Sequence, residues 1–195
     1  MVGRVVVGVH GTPGSLQALR FAVGHARAFG AILVPVIAWE PPGGDSAGRY
    51  YPPFLTDEWA DAAERRLLNA FDEALGGPPE ELPTQPMIVR GSVGRVLVAI
   101  ADRESDLLVV GCTRRGWLHR AYYGSPPRHC LKHAACTVIV VPPTRLAQEV
   151  ERQRSGPRLW RRLAGGDASQ ISGRHAEGAA ADHVWNRRVN GTGLL

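Results

Sequence analysis

From Arg4 to Val9 the chain is an almost unbroken run of valine that stops at His10-Gly11-Thr12-Pro13-Gly14. A short β-branched run bounded by turn residues predicts a strand buried on both faces. Beyond the turn the period changes. From Ser15 onward Leu16, Leu19, Val23 and Ala26 recur at helical spacing until Gly30 stops the pattern. Ala31 to Ala38 is a second apolar run, after which Pro41, Pro42, Gly43 and Gly44 open a long loop reaching Tyr50, Tyr51, Pro52 and Pro53. Trp59, Ala63, Leu67, Phe71 and Leu75 then predict an amphipathic helix, Gln85 to Arg90 a third strand, and Val93, Val96, Leu97 and Ile100 a third helix. Leu107 to Val110 and Thr137 to Val141 read as the fourth and fifth strands, with a glycine-bearing loop and a short helix between them.

Strand and helix alternate throughout, and that alternation requires crossover connections, which build a parallel sheet with helices on both faces. Right-handed crossovers make it doubly wound. In such a sheet ligands bind beyond the carboxyl ends of the strands, where strand order reverses, so the loops after Val9, Ala38 and Val110 are the candidates for a site.

After Pro142-Pro143 the pattern weakens. The expected organisation is one domain over residues 1–144 and a basic, mostly disordered tail over 145–195, in which Leu146 to Leu163 could also be written as a basic amphipathic helix. An alternative for the tail is a membrane-surface or nucleic-acid arm using Arg158, Trp160, Arg161 and Arg162, weighed against an ordinary solvated face.

Composition changes this picture little. A hydrophobic fraction of 44% and a charged fraction of 21% are those of an ordinary globular chain. Most of the formal charge of +5 lies in the tail, where nine arginines face five carboxylates from Arg145 onward, leaving the first 144 residues nearly neutral. Lys132 is the one lysine in a chain rich in Ala, Gly, Pro and Arg, so the arginine count reads as codon bias rather than as a nucleic-acid footprint. Cys112, Cys130 and Cys136 are odd in number and lack Cys-x-x-Cys spacing, which argues against a disulfide framework or zinc knuckle and fits a reducing cytoplasm. No stretch reaches the length of a membrane span, so no membrane association is expected.

The familiar phosphate loops are missing, as are a Gly-x-Ser-x-Gly elbow and a His-Glu-x-x-His helix. His129 and His133 stand four apart but lack an evident third ligand, so no metal site is assigned. What remains is Val109-Val110-Gly111-Cys112-Thr113-Arg114, running to Gly124-Ser125, and then His133-Ala134-Ala135-Cys136 ahead of the last apolar strand. Here the chain resembles the universal stress proteins, whose signature after the fourth strand is Gly, two residues, Gly, nine residues, then Gly with Ser or Thr. Gly111, Gly124 and Ser125 fit that spacing, and the resemblance covers residues 4–143, including the opening Val-Gly-Val-x-Gly-Thr, Ala18-Leu19 and Gly91.

The resemblance implies a three-layer α/β/α sandwich of the adenine nucleotide alpha hydrolase-like type. It also implies a stress-response binding protein rather than an enzyme, with a pocket for ATP accompanied by magnesium, and a homodimer formed through Thr137 to Val141, which would otherwise be an exposed sheet edge. Carried over, His10, Gly11 and Thr12 lie at the end of the first strand, Val36 where backbone contacts hold adenine, and Val110, Gly111, Arg114, Gly124, Ser125 and Pro126 beside the phosphates. Glycine lets backbone amides approach a phosphate, and a helix start at Ser125 adds unpaired N–H groups, although Gly124-Ser125 could equally turn the chain and cap a helix. Two departures predict weakened ATP binding: His10 stands where the family has an acidic residue, and Arg114 where it has the second glycine. Pro126 removes one further amide donor. The alternatives are a slow ATPase with His10 as base, and a partner-binding module without nucleotide.

Overall fold

The computed structural model describes residues 3–44, 51–112, 125–146 and 149, all but the last within one compact unit, Met1–Ala147. Arg114, Gly124 and nearly all of the predicted tail fall outside the described residues.

Five strands, β1 (Arg4–Gly8), β2 (Ile32–Trp39), β3 (Met87–Arg90), β4 (Leu107–Gly111) and β5 (Thr137–Val141), form one sheet in the order β3-β2-β1-β4-β5. Every neighbouring pair is parallel. The connecting helices among the described residues are α1 (Pro13–Phe29), α2 (Pro53–Leu75), α3 (Val93–Ile100) and α4 (Pro126–His133). The chain first steps from β1 through β2 to β3 at one edge, and then returns across the sheet to β4 and β5. Because parallel crossovers keep one hand, reversing the direction moves the helices to the other face. Accordingly α1 packs with α2, and α3 packs with α4.

The central strands carry the continuous apolar runs that this burial requires. Val5, Val6, Val7, Leu108 and Val109 are fully buried, and α1 turns Ala18, Leu19, Ala22, Val23 and Ala26 onto them. The small alanines let the helix lie close to the strands. Thr12 caps the helix by accepting the Ser15 N–H, and Gly30 ends it in the left-handed conformation at φ 60°, where a side chain would be strained. On the opposite face Val96, Leu97 and Cys130 complete a second core cluster.

One boundary and one buried position differ from expectation for identifiable reasons. β3 begins at Met87, not Gln85. Leu33 faces this edge, donating to Pro83 and accepting from Gln85, so Pro35 faces it too, and neither Pro35 nor Pro86 has an N–H to extend the ladder. Leu75, the last apolar residue of the α2 pattern, is exposed, whereas Ala63, Leu67, Ala70 and Phe71 are buried. The helix C-terminus is tied instead by Arg20 of α1, which donates to the carbonyls of Glu73 and Ala74 at 2.9 and 2.8 Å.

The amino end of the sheet is locked by charge. Asp106, 2% exposed, accepts Arg4 Nε at 3.0 Å and Nη2 at 2.5 Å together with the Arg103 N–H, and Asp102 takes a second bond from Arg4 Nη2 at 2.7 Å. These hydrogen bonds outweigh partial burial and hold the Arg4 pKa above its usual value. No helix among the described residues is long and apolar enough to cross a membrane.

Candidate functional site

The site is built at the opposite end, where β1 and β4 finish side by side and strand order reverses. A cavity of about 510 Å³ opens there between the two strand ends and the starts of three helices. Gly8, Val9 and His10 come from β1 and its exit, Thr12 and Ser15 from the start of α1, Val110, Gly111 and Cys112 from β4, Val93 and Leu97 from α3, and Ser125, Pro126, Pro127 and Arg128 from the start of α4.

The β1–α1 turn is fixed by local hydrogen bonds. Gly11 occupies φ 81°, which permits the sharp reversal after His10. Ser15, buried in the first turn of α1, accepts the His10 N–H at 3.2 Å and donates to the Thr12 carbonyl at 3.0 Å. His10 is thereby held at the cavity by its backbone while its side chain stays exposed.

Close backbone contact joins α1 to β4. A Cβ on Gly111 would lie 2.6 Å from the Ser15 nitrogen and nearer still to the carbonyl group of Gly14, while a Cβ on Gly14 would overlap the Cys112 carbonyl. Glycine at both positions therefore has a packing cause, independent of any ligand. Gly8 shows the same effect more mildly, since a Cβ there would meet Leu97 Cδ1 at 2.9 Å.

Three helix N-termini border this space, and none carries an acidic residue in its first turn. A helix start carries a partial positive charge and first-turn amides that lack intrahelical partners. Their donor supply is unequal. Pro13 removes one amide from α1, and Pro126 with Pro127 removes two from α4. The Ser92 side chain leaves the first amides of α3 uncapped, and Ser125 likewise makes no side-chain cap bond.

Of the sequence-predicted residues, the fold gathers His10, Thr12, Val110, Gly111, Ser125 and Pro126 around this cavity, with Gly11 in the turn that shapes it. Val36 does not line it. That residue is buried within β2, and its carbonyl accepts the Val9 N–H at 2.8 Å. Arg114 and Gly124 lie outside the described residues. Sequence reasoning missed Ser15, Val93, Leu97, Cys112, Pro127 and Arg128. The Thr-x-x-Ser spacing at the head of α1 was a local signal for Ser15, whereas Val93 and Leu97 reach the cavity from a helix distant in sequence.

The histidine pair of α4 stands apart from this wall. The rings of His129 and His133 are 4.5 Å apart, and burial of His129 beside Gly94, helped by nearby positive charge, lowers its pKa. Among the described residues no three potential ligands group to hold a metal ion.

Against this geometry, comparison with known proteins gives a consistent answer. The model of the universal stress protein family matches residues 1–142. A universal stress protein from Archaeoglobus fulgidus is 21% identical, covering 72% of this chain and 99% of its own with a TM-score of 0.50. Lactobacillus plantarum UspA is 22% identical over 72% of this chain and 97% of its own, TM-score 0.49. A universal stress protein crystallised in complex with cAMP is 25% identical over 73% and 98%, TM-score 0.49. No curated protein matches the chain.

Proposed function

Because the chain belongs to the universal stress protein family, we propose that it is a stress-response binding protein whose cavity beyond β1 and β4 holds an adenine nucleotide. The observation that carries this reading is the convergence of three helix starts, all free of acidic residues in their first turns, on one cavity at the switch point of a parallel sheet. That arrangement favours an anion at the helix ends, and the apolar walls from Val9, Val93, Leu97 and Val110 suit a base or sugar face. ATP is the weaker of the adenine nucleotides for this site, since His10 supplies no carboxylate for magnesium. Isothermal titration of the full chain with AMP and ATP tests the proposal: saturable heat with at least one is expected, and silence with both at millimolar nucleotide refutes it.

The same proposal includes a cytoplasmic homodimer through β5. β5 is an edge strand whose Val138, Ile139 and Val140 are only partly buried within one copy. Val141 turns its carbonyl to Cys112 of β4, so the backbone groups of Val138 and Val140 face the open edge. Val140→Pro removes one outward N–H without touching the β4 ladder. Light scattering is expected to show a dimer for the native chain and a monomer for this variant, and a native monomer refutes the assembly.

A further inference from the structure

We infer that the outer face of α3 and α4 carries a separate anion site, in which Arg95, His129, Lys132 and His133 hold an inorganic oxyanion of the sulfate or phosphate type. None of the four lines the cavity beyond β1 and β4, so the inference stands apart from the nucleotide reading.

Gly94 brings the two helices together. A Cβ there would lie 2.9 Å from His129 Cβ and 3.0 Å from its ring, so glycine lets the first turn of α3 meet α4 at this level. The His129 ring, seated there, stands 4.5 Å from the ring of His133 one turn further on. His133, Arg95 and Lys132 are exposed, and His129 is half-buried. Burial, and then the positive charge of His133, Arg95 and Lys132, lowers the His129 pKa, which puts all three within electrostatic reach of its ring.

The elements around this cluster supply no counter-charge. α3 and α4 contain no Asp or Glu, and β4 and β5, the strands packed beneath α4, contain no ionisable side chain. The Cys130 thiol of α4 is buried and stays protonated, its pKa pushed up to about 11. Asp102 and Asp106, which follow α3 in the chain, are bonded to Arg4. Arg128, the remaining cation of α4, lies on the cavity side. Arg95 and Lys132 enter no hydrogen bond or ion pair among the described residues. Lys132 and His133 suit the dipole of the last turn of α4, but Arg95 stands in the first turn of α3, where a cation opposes the dipole. A guanidinium, an ammonium and two imidazoles together offer donors to a tetrahedral anion, and protonation of either imidazole strengthens the hold. A metal ion at the histidine pair would meet the repulsion of Arg95 and Lys132 instead.

The test follows the histidine ring resonances of the full chain by NMR from about pH 5 to pH 8, in sodium chloride and in sodium sulfate at one fixed ionic strength. His129→Gln and His133→Gln assign the two rings. Sulfate is expected to raise both pKa values by at least about half a pH unit over chloride, which for two imidazoles corresponds to sulfate bound about tenfold tighter below their pKa values than above. His25, stacked with Phe21 and Phe29 on α1 across the sheet, is the internal control and should not respond. Arg95→Gln and Lys132→Gln should each at least halve the rise while melting near the native temperature. Equal values in chloride and sulfate, or a rise shared by His25, overturn the inference. A response at His10 with none at His129 and His133 overturns it as well, since the anion then sits in the cavity. A full rise retained in both Arg95→Gln and Lys132→Gln overturns the convergence of the four groups. None of these results bears on the nucleotide reading.

Discussion

Replacing Gly111 by alanine would push a methyl group into the backbone of α1. The new Cβ would sit 2.6 Å from the Ser15 nitrogen and closer to the Gly14 carbonyl, well inside ordinary contact distance. Every obstructing atom is main chain, so no rotamer change relieves the overlap. α1 has to retreat from β4, loosening Ala18, Leu19 and Ala22, all fully buried against the strands. Overpacking of this kind costs about 1–3 kcal/mol, and obstruction by backbone alone places the substitution at the upper end, about 3 kcal/mol. In a domain of this size each kcal/mol moves the melting temperature by about 2–4 °C, so a fall of about 6–12 °C is expected.

Gly24→Ala provides the opposite sign within the same helix. Gly24 is exposed inside α1 with no atom within 4 Å of a built Cβ, and alanine there should stabilise by about 0.5–1 kcal/mol through helix propensity. Thermal melts followed by circular dichroism, with urea midpoints as an independent scale, measure both variants on the full chain. A Gly111→Ala protein melting within about 1 °C of the native chain refutes the contact argument, as does a shift of both variants in the same direction.

Asp106→Ala should destabilise by about 1.5–3 kcal/mol, because it removes the buried acceptor of Arg4 while Asp102 and the Ile100 carbonyl still hold the guanidinium, and urea unfolding would show it. Asp102 is exposed, and its hydrogen bond from Arg4, the largest cause, holds its pKa below the usual carboxylate value. Its contribution is therefore present above the ordinary carboxylate pKa and lost as pH falls through the depressed one. The stability gap between the native chain and Asp102→Asn should narrow in acid, and a gap that stays constant with pH contradicts this. Burial pushes the Cys130 thiol up to about 11 and raises that of Cys136 as well. The folded state thus keeps a proton that the unfolded chain loses, so stability should decline above about pH 9. Cys130 should also resist alkylation at pH 8 until the chain unfolds, and rapid labelling of the native protein would contradict its burial.

The order of elements was legible in the sequence because each strand and helix has its own period, and because five apolar runs separated by helices leave few arrangements besides a parallel sheet. Where the strand order reverses was not legible: the loops after Val9, Ala38 and Val110 stood as candidates, and the return from β3 to β4 puts the cavity between β1 and β4. Contacts between distant segments were not legible. Nothing local to Arg4 announces Asp106, some hundred residues away, and nothing local to Gly14 announces Gly111. Val36 shows the same limit from another side: a role carried over by position says nothing of where its carbonyl turns, and in the sheet it accepts from Val9. The early stop of β3 was present in the sequence as Pro35 and Pro86, but it acquires meaning only when the two segments are known to lie side by side.

Gly111 joins the two halves of this account, since the contact that requires glycine there also brings the first turn of α1, with Thr12 and Ser15, to the cavity. Fold and site are therefore not separable at this position. Loss of nucleotide binding in Gly111→Ala would follow from displacement of α1 even if the residue never touched a phosphate, so a glycine signature by itself does not identify a phosphate contact. Arg128 separates the two effects. Its side chain is exposed and supports no core contact, so a change in binding at Arg128 with an unaltered melting temperature reports on the ligand alone. A glycine loop shows that two backbones must approach, and the charged side chains around it decide which anion can enter.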